Sequence, residues 1–92
     1  MLRVLRQSNG FGVAIDDADV EPARAEFGAA EGIHLCPEGA ATYLAYKTAL
    51  ADGRLSKTDR VVLFNCATGL KYPMPPVSRT LNRHAPIDYG AL

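Results

Sequence analysis

The amino-acid sequence predicts an α/β fold in which parallel βαβ units are followed by an extended C-terminal tail. Three short apolar segments, at 11–15, 33–36 and 61–64, alternate with segments that carry helix signals. Alternation of this kind is typical of parallel strands joined by right-handed crossovers. The apolar pattern stops at Pro73, and prolines recur after it, which favours an extended chain. We therefore expect a partial α/β domain over residues 1–73 and a tail over residues 74–92.

The first elements are the end of a helix and a strand. Leucine, valine and arginine alternate over residues 1–9 as on a helix, and Asn9-Gly10 is a typical left-handed stop. The next segment, 11–15, places large apolar residues at every second position, which predicts a strand.

A second helix follows, and two residues compete for its start. Both Asp16 and Asp19 can act as the N-cap. We favour Asp19, because Pro22 then falls in the first turn, where proline is tolerated. If Asp16 caps the helix instead, Pro22 should kink it. Gly32 is expected to end the helix.

A second βαβ unit begins at the next apolar segment. Residues 33–36 predict a short strand, Pro37 suits the first position of a helix, and Gly53 is the expected stop. The run at 61–64 is continuously apolar, as in a strand that is buried on both faces.

Composition excludes several classes of protein. Ten basic and ten acidic residues give zero formal charge, which argues against binding to nucleic acid or to an anionic membrane surface. No apolar run reaches the length of a membrane helix. The spacing of Cys36 and Cys66 matches no common zinc pattern, and His34 and His84 do not complete one. We expect no metal site and a reducing, cytoplasmic location.

The loop Asn65–Lys71 is the first candidate for a ligand site. It follows the apolar run at 61–64, and in an open α/β sheet ligands lie beyond the carboxyl ends of the strands. Gly69 allows unusual backbone angles there. The alternative is a simple turn whose polar side chains cap the short helix that follows.

Two segments resemble threonine synthase, a pyridoxal-phosphate enzyme of the tryptophan-synthase-β fold group (fold type II). The family carries a segment similar to VVLxxTGSGLKYP, and residues 61–73 read VVLFNCATGLKYP. Residues 36–42, CPEGAAT, resemble the family segment SPEGAA, which serine and threonine dehydratases share more loosely. The resemblance implies a cytoplasmic lyase of threonine biosynthesis that converts O-phosphohomoserine and water to threonine and phosphate.

The resemblance also implies site residues. Cys66 takes the position of the hydroxyl residue that binds the pyridine nitrogen of pyridoxal 5′-phosphate, and Ala67, Thr68 and Gly69 complete that cofactor-binding loop. A thiol is a weaker donor than a hydroxyl, so the contact is weak, or Thr68 provides it, or Cys66 is only a small buried residue. The segment at 36–42 implies that Glu38 and Gly39 bind the substrate, although Glu38 also suits a helix cap.

The segments that hold the cofactor covalently are not in these 92 residues. The family's Schiff-base lysine and its glycine-rich phosphate loop both lie upstream of the matching segments. We therefore expect no catalytic residue here, an inactive isolated chain, and packing against the rest of the enzyme or a companion chain, with a homo-oligomer possible. Two alternatives stay open: another fold-type-II lyase such as a serine or threonine dehydratase, and a non-catalytic remnant or interaction module.

Overall fold

The computed structural model of the chain describes residues 1–74, 76–77 and 79–91. Over these residues the chain forms three α-helices: α1 is Leu2–Gln7, α2 is Asp17–Glu31 and α3 is Pro37–Ala51. Two short 3-10 turns follow, at Gly69–Lys71 and Tyr89–Ala91. The helical part of the predicted architecture is therefore confirmed.

The start of α2 differs from the preferred prediction. Asp16 is the N-cap, and its Oδ1 accepts a hydrogen bond of 3.1 Å from the amide of Ala18. Pro22 consequently lies inside the helix rather than in its first turn. The prediction of Asp19 as N-cap was wrong because capping by Asp16 outweighs the single helical hydrogen bond that Pro22 removes.

The stop and start signals between α2 and α3 are confirmed. Gly32 has a left-handed backbone, with φ of 68°, and its amide bonds the carbonyl oxygen of Gly28 at 2.9 Å. Glycine adopts this conformation at no steric cost. Pro37 is the first residue of α3, and Cys36 is its N-cap.

The predicted parallel strands are not formed among the described residues. The segments at 11–15, 33–36 and 61–64 are irregular, apart from one isolated antiparallel bridge between Leu35 and Thr68. Val62 and Phe64 are 92% and 76% exposed, so the expected burial of this segment on both faces is also wrong for the chain alone. Strand-forming residues make a sheet only when a neighbouring strand satisfies their backbone groups, and these segments do not pair with one another.

The core lies between α2 and α3. Ala23, Leu35 and Ala40 are buried, and four partly buried residues pack around them: Val20, Phe27, Tyr43 and Leu44. The rings of Phe27 and Tyr43 meet edge to face with centroids 5.1 Å apart, an arrangement that aromatic pairs favour. At the surface of this interface, Glu26 accepts hydrogen bonds from Tyr43 at 2.9 Å and Lys47 at 3.0 Å. Two helices are thus fixed side by side, and they position the candidate site.

The chain is too extended and too exposed for a self-contained domain of its size. Its radius of gyration is 17.4 Å, whereas a compact chain of this length has about 12 Å. Its accessible surface is 7620 Å², against about 5,200 Å² expected for a folded monomer of this mass. Apolar side chains account for part of the excess, including Val62, Phe64 and Leu70.

The tail is exposed in its described residues, and Pro75, Ser78 and Leu92 lie outside the part that the structure describes. Among the helices of the described residues, none is both long enough and apolar enough to span a bilayer.

Candidate functional site at the start of α3

The loop Asn65–Lys71 folds back onto the segment that precedes α3. Leu35 and Thr68 form the antiparallel bridge, and the amide of Gly69 donates a hydrogen bond of 3.0 Å to the carbonyl oxygen of His34. These backbone contacts place the loop beside the first turn of α3.

The buried side chain of Arg24, in α2, stabilises the contact between the loop and the segment before α3. Its side chain is only 3% exposed; Nε donates to the carbonyl oxygen of Leu35 at 3.0 Å, and Nη2 donates to that of Gly69 at 3.3 Å. Glu21 accepts from Nη1 at 2.6 Å and balances the charge. The fit is tight, because a Cβ on Gly69 would lie 2.5 Å from the Leu35 carbonyl oxygen. A side chain at position 69 would therefore force the loop to move.

The two cysteines meet at the start of α3. Cys36 is fully buried, and its Sγ accepts a hydrogen bond of 3.2 Å from the amide of Gly39, which caps the helix. The same thiol donates to Oδ1 of Asn65 at 3.2 Å. Its Sγ lies 4.0 Å from the Sγ of Cys66. Side chains of the segment 36–42 and of the loop Asn65–Lys71 are therefore in direct contact.

In this cluster the Cys66 thiol favours its neutral form and the Glu38 carboxyl group favours its charged form. The hydrogen bond with Cys36 raises the pKa of the Cys66 thiol, and desolvation adds to the effect, so Cys66 stays protonated near neutral pH. Glu38 behaves in the opposite way: its own backbone amide and the hydroxyl of Tyr72, at 3.1 Å, lower the pKa of its carboxyl group. The cluster thus combines a neutral thiol donor with an ionised carboxylate.

A shallow cavity of about 520 Å³ opens beside the loop. Its lining comes from the loop and from the turn after α2: Gly32, Ile33, His34, Asn65, Cys66, Ala67, Thr68 and Leu70. Cys66 is exposed, so the burial that one alternative assumed for it is wrong for the chain alone. The Nδ1 of His34 is buried and has no hydrogen-bond partner among the described residues.

The other predicted cofactor-binding residues have structural tasks. Thr68 Oγ1 accepts from the amide of Leu70 at 3.3 Å and so caps the 3-10 turn, as the alternative interpretation of the loop expected. Gly69 is buried against Arg24, and Ala67 is half-buried at the cavity. Cys66 and Thr68 both line the cavity with a side chain that carries a donor hydrogen. The Cys66 thiol also contacts Cys36, and the Thr68 hydroxyl only accepts in its bond with Leu70.

The two predicted substrate-binding residues lie on the first turn of α3. Glu38 is exposed and accepts the hydroxyl of Tyr72. Gly39 is buried, its amide is committed to the Cys36 thiol, and a Cβ there would collide with the side-chain amide of Asn65. Its backbone amide is therefore not free to bind a substrate anion in this conformation.

Three residues of the site were given no specific role from the sequence. Cys36 could have been found, because the residue before a helix-starting proline is the N-cap. Asn65 belonged to the predicted loop but was given no specific role. Arg24 had no local signal, since its carbonyl partners are 11 and 45 residues away.

The residues present fit one end of pyridoxal phosphate. A thiol that stays protonated can donate to a pyridine nitrogen, and Cys66 is such a thiol at the edge of the cavity. A Schiff-base lysine needs a lowered pKa, whereas Glu26 raises the pKa of Lys47 through a hydrogen bond. Lys57 and Lys71 are exposed. The residues of this chain therefore suit a contact with the ring nitrogen of the cofactor and not its covalent attachment.

Comparisons with known proteins returned no match: no protein-family model, no curated protein and no solved structure is similar to this chain.

Proposed function

We propose that this chain is the C-terminal part of a pyridoxal-phosphate-dependent lyase of the threonine synthase type. The complete enzyme would convert O-phosphohomoserine and water to threonine and phosphate in the cytoplasm. The observation that carries the proposal is the contact between the two segments on which the resemblance rests. Cys36 lies 4.0 Å from Cys66, and Glu38 accepts the hydroxyl of Tyr72.

Cys66 is the residue to which we assign a cofactor contact. When bound, pyridoxal phosphate supplies an electron sink for elimination and replacement at an amino-acid substrate. A neutral thiol facing the pyridine nitrogen would leave that nitrogen unprotonated. The cofactor ring would then be a weaker electron sink, which suits elimination better than transamination. Thr68 remains the alternative donor, because its hydroxyl oxygen accepts from the amide of Leu70 and that bond does not use the hydroxyl proton. Ala67 and Gly69 would shape the loop around the ring.

The incomplete packing of the chain supports a role as part of a larger domain. Its accessible surface of 7620 Å² exceeds the expectation for a compact monomer, and Val62 and Phe64 project into solvent. In the complete enzyme, the segments at 11–15, 33–36 and 61–64 would pair as parallel strands with the remainder of the sheet. That remainder would also supply the lysine and the phosphate-binding loop, and without them the isolated chain would be inactive.

The same exposed apolar segment favours a second candidate function. A non-catalytic interaction module would also present Val62 and Phe64 to a companion chain. A lyase with a different amino-acid substrate, such as a serine or threonine dehydratase, is a variant of the first proposal. Steady-state assays of the complete protein with phosphohomoserine, serine and threonine would separate the variants.

The gene upstream of the Met1 codon tests the proposal first. We expect an open reading frame that continues for hundreds of codons and encodes both a lysine segment and a glycine-rich asparagine loop. An in-frame stop codon directly upstream would overturn the lyase proposal and leave the interaction module.

Variants of Cys66 in that longer protein test the assigned contact. Cys66→Ala should shift the absorption band of the bound cofactor and lower turnover, because the donor is lost. Cys66→Thr restores a hydroxyl donor and should retain both. If Cys66→Ala changes neither property, Cys66 does not contact the cofactor.

A further inference from the structure

The cluster at the start of α3 contains a set of ligands that the proposed function does not use together. The two thiols and the carboxylate of Glu38 each offer one ligand atom, and these atoms all lie within 4.8 Å of one another. The chain has only these two cysteines. We propose that Cys36, Cys66 and Glu38 bind one Zn²⁺ ion.

The distance between the thiols suits zinc. Two sulfur ligands at the usual Zn–S distance and the tetrahedral angle lie about 3.8 Å apart. The Sγ atoms of Cys36 and Cys66 are 4.0 Å apart. Glu38 can adjust its carboxylate to the ion because its side chain is exposed. The carboxylate accepts a hydrogen bond of 3.1 Å from the hydroxyl of Tyr72 and also interacts with the thiol of Cys36.

The start of α3 holds the first sulfur ligand in place. The amide of Gly39 donates a hydrogen bond of 3.2 Å to Sγ of Cys36, so this sulfur already lies at the N-terminus of the helix. On binding, the ion forms two Zn–S bonds and one Zn–O bond, and the two thiol protons pass to solvent. Three anionic ligands leave one net negative charge on the site, which the positive end of α3 offsets in part.

The ligand atoms determine which metal ion the site prefers. Thiolates are soft ligands that favour zinc over magnesium or calcium, which prefer oxygen ligands. Oδ1 of Asn65, 3.2 Å from Sγ of Cys36, or a water molecule can complete four-coordination. No common zinc pattern is visible in the sequence, because the two cysteines are 30 residues apart and meet only through the folded loop.

This inference goes beyond the proposed function and does not rest on it. The metal site needs only the residues of this chain, whereas the cofactor site needs the rest of an enzyme. In a complete enzyme the zinc ion and the cofactor would compete for Cys66, since a metal-bound thiolate at that position can no longer donate to a pyridine nitrogen.

Cobalt and zinc titrations of the reduced 92-residue chain test the proposal. We expect Co²⁺ to give a thiolate-to-metal charge-transfer absorption that saturates at one ion per chain. Zn²⁺ should then displace the cobalt, and competition with a chromophoric chelator gives its affinity. Cys36→Ser and Cys66→Ser should each lower the zinc affinity at least about tenfold, as should Glu38→Gln.

The variants are chosen so that the chain keeps its fold. Serine is a strong N-cap and can replace Cys36 at the start of α3, Cys66 is exposed, and far-UV circular dichroism checks the helix content. Glu31→Gln, which changes an exposed carboxylate at the end of α2, is the matched control and should leave the affinity unchanged. Absence of the charge-transfer band, two chains per ion, or equal affinities for Glu38→Gln and Glu31→Gln would overturn the three-ligand site.

Discussion

The guanidinium group of Arg24 donates a hydrogen bond of 3.3 Å to the carbonyl oxygen of Gly69, 45 residues away in the sequence. Through Nε the same side chain also holds the carbonyl oxygen of Leu35. A single buried cation thus ties α2 to the loop and to the segment before α3. The proximity of the two cysteines depends on this link, because it fixes the loop from its buried side.

Replacing Arg24 should therefore destabilise the chain. Arg24→Ala leaves two carbonyl groups without their charged donor, and we expect the free energy of unfolding to fall by about 2–4 kcal/mol. Arg24→Lys should lie in between, because an ammonium group cannot reproduce the planar fork. Urea unfolding measures both. Arg3→Ala, in the exposed helix α1, is the control, and a loss as large as that of Arg24→Ala would contradict the assigned role.

A methyl group at position 69 should disrupt the same contact. The Cβ of Gly69→Ala would meet the carbonyl oxygen of Leu35 at 2.5 Å and Nη2 of Arg24 at 3.1 Å, so the loop has to move away. We expect a loss of about 1–3 kcal/mol in the free energy of unfolding. Gly12→Ala is a matched control, since a Cβ there has nothing within 4 Å, and it should change stability by less than about 0.5 kcal/mol. Equal effects of the two substitutions would show that the loop is not packed as described.

Acid should weaken the contact between α2 and α3. The hydrogen bonds from Lys47 and then Tyr43 lower the pKa of Glu26 from its ordinary value of 4.5. A carboxyl group whose folded-state pKa is lowered contributes stability above its unfolded pKa and loses it as the pH falls through the folded value. Thermal unfolding between pH 7 and pH 3 should therefore show a decline that begins near pH 4.5.

A pair of glutamate variants separates this contribution from general acid unfolding. Glu26→Gln should reduce the slope of stability against pH below 4.5, although Glu38, whose pKa is also lowered, maintains part of it. Glu31→Gln should retain the slope of the parent chain. If both variants match the parent, the bonds of Glu26 to Lys47 and Tyr43 do not contribute.

The helices could be predicted from the sequence because their signals are local. Pro37 at the start of α3 and Gly32 at the end of α2 act through the backbone of a few neighbouring residues. The start of α2 was harder, since Asp16 and Asp19 both suit an N-cap and the prediction gave Pro22 too much weight. The strands could not be predicted for this chain, because the segment at 61–64 needs a partner strand to become one.

The candidate site was predicted in outline and not in its contacts. The loop was named from its place after the apolar run at 61–64 and Cys66 from a resemblance, and the structure places that loop against the start of α3. The roles of Arg24 and Cys36 depend in part on residues 29 to 45 positions away. Contacts at that separation leave no periodic or motif signal in a single sequence.

The central claim is that the segment 36–42 and the loop Asn65–Lys71 form one site. Thiol–disulfide exchange with glutathione tests it most directly, because each intramolecular disulfide that forms reduces one glutathione disulfide to two thiols. The Sγ atoms of Cys36 and Cys66 are only 4.0 Å apart, so we expect an intramolecular disulfide to form. The equilibrium constant for its formation should fall at least about tenfold in urea. An equal constant in buffer and in urea, or mixed glutathione disulfides alone, would contradict the claim.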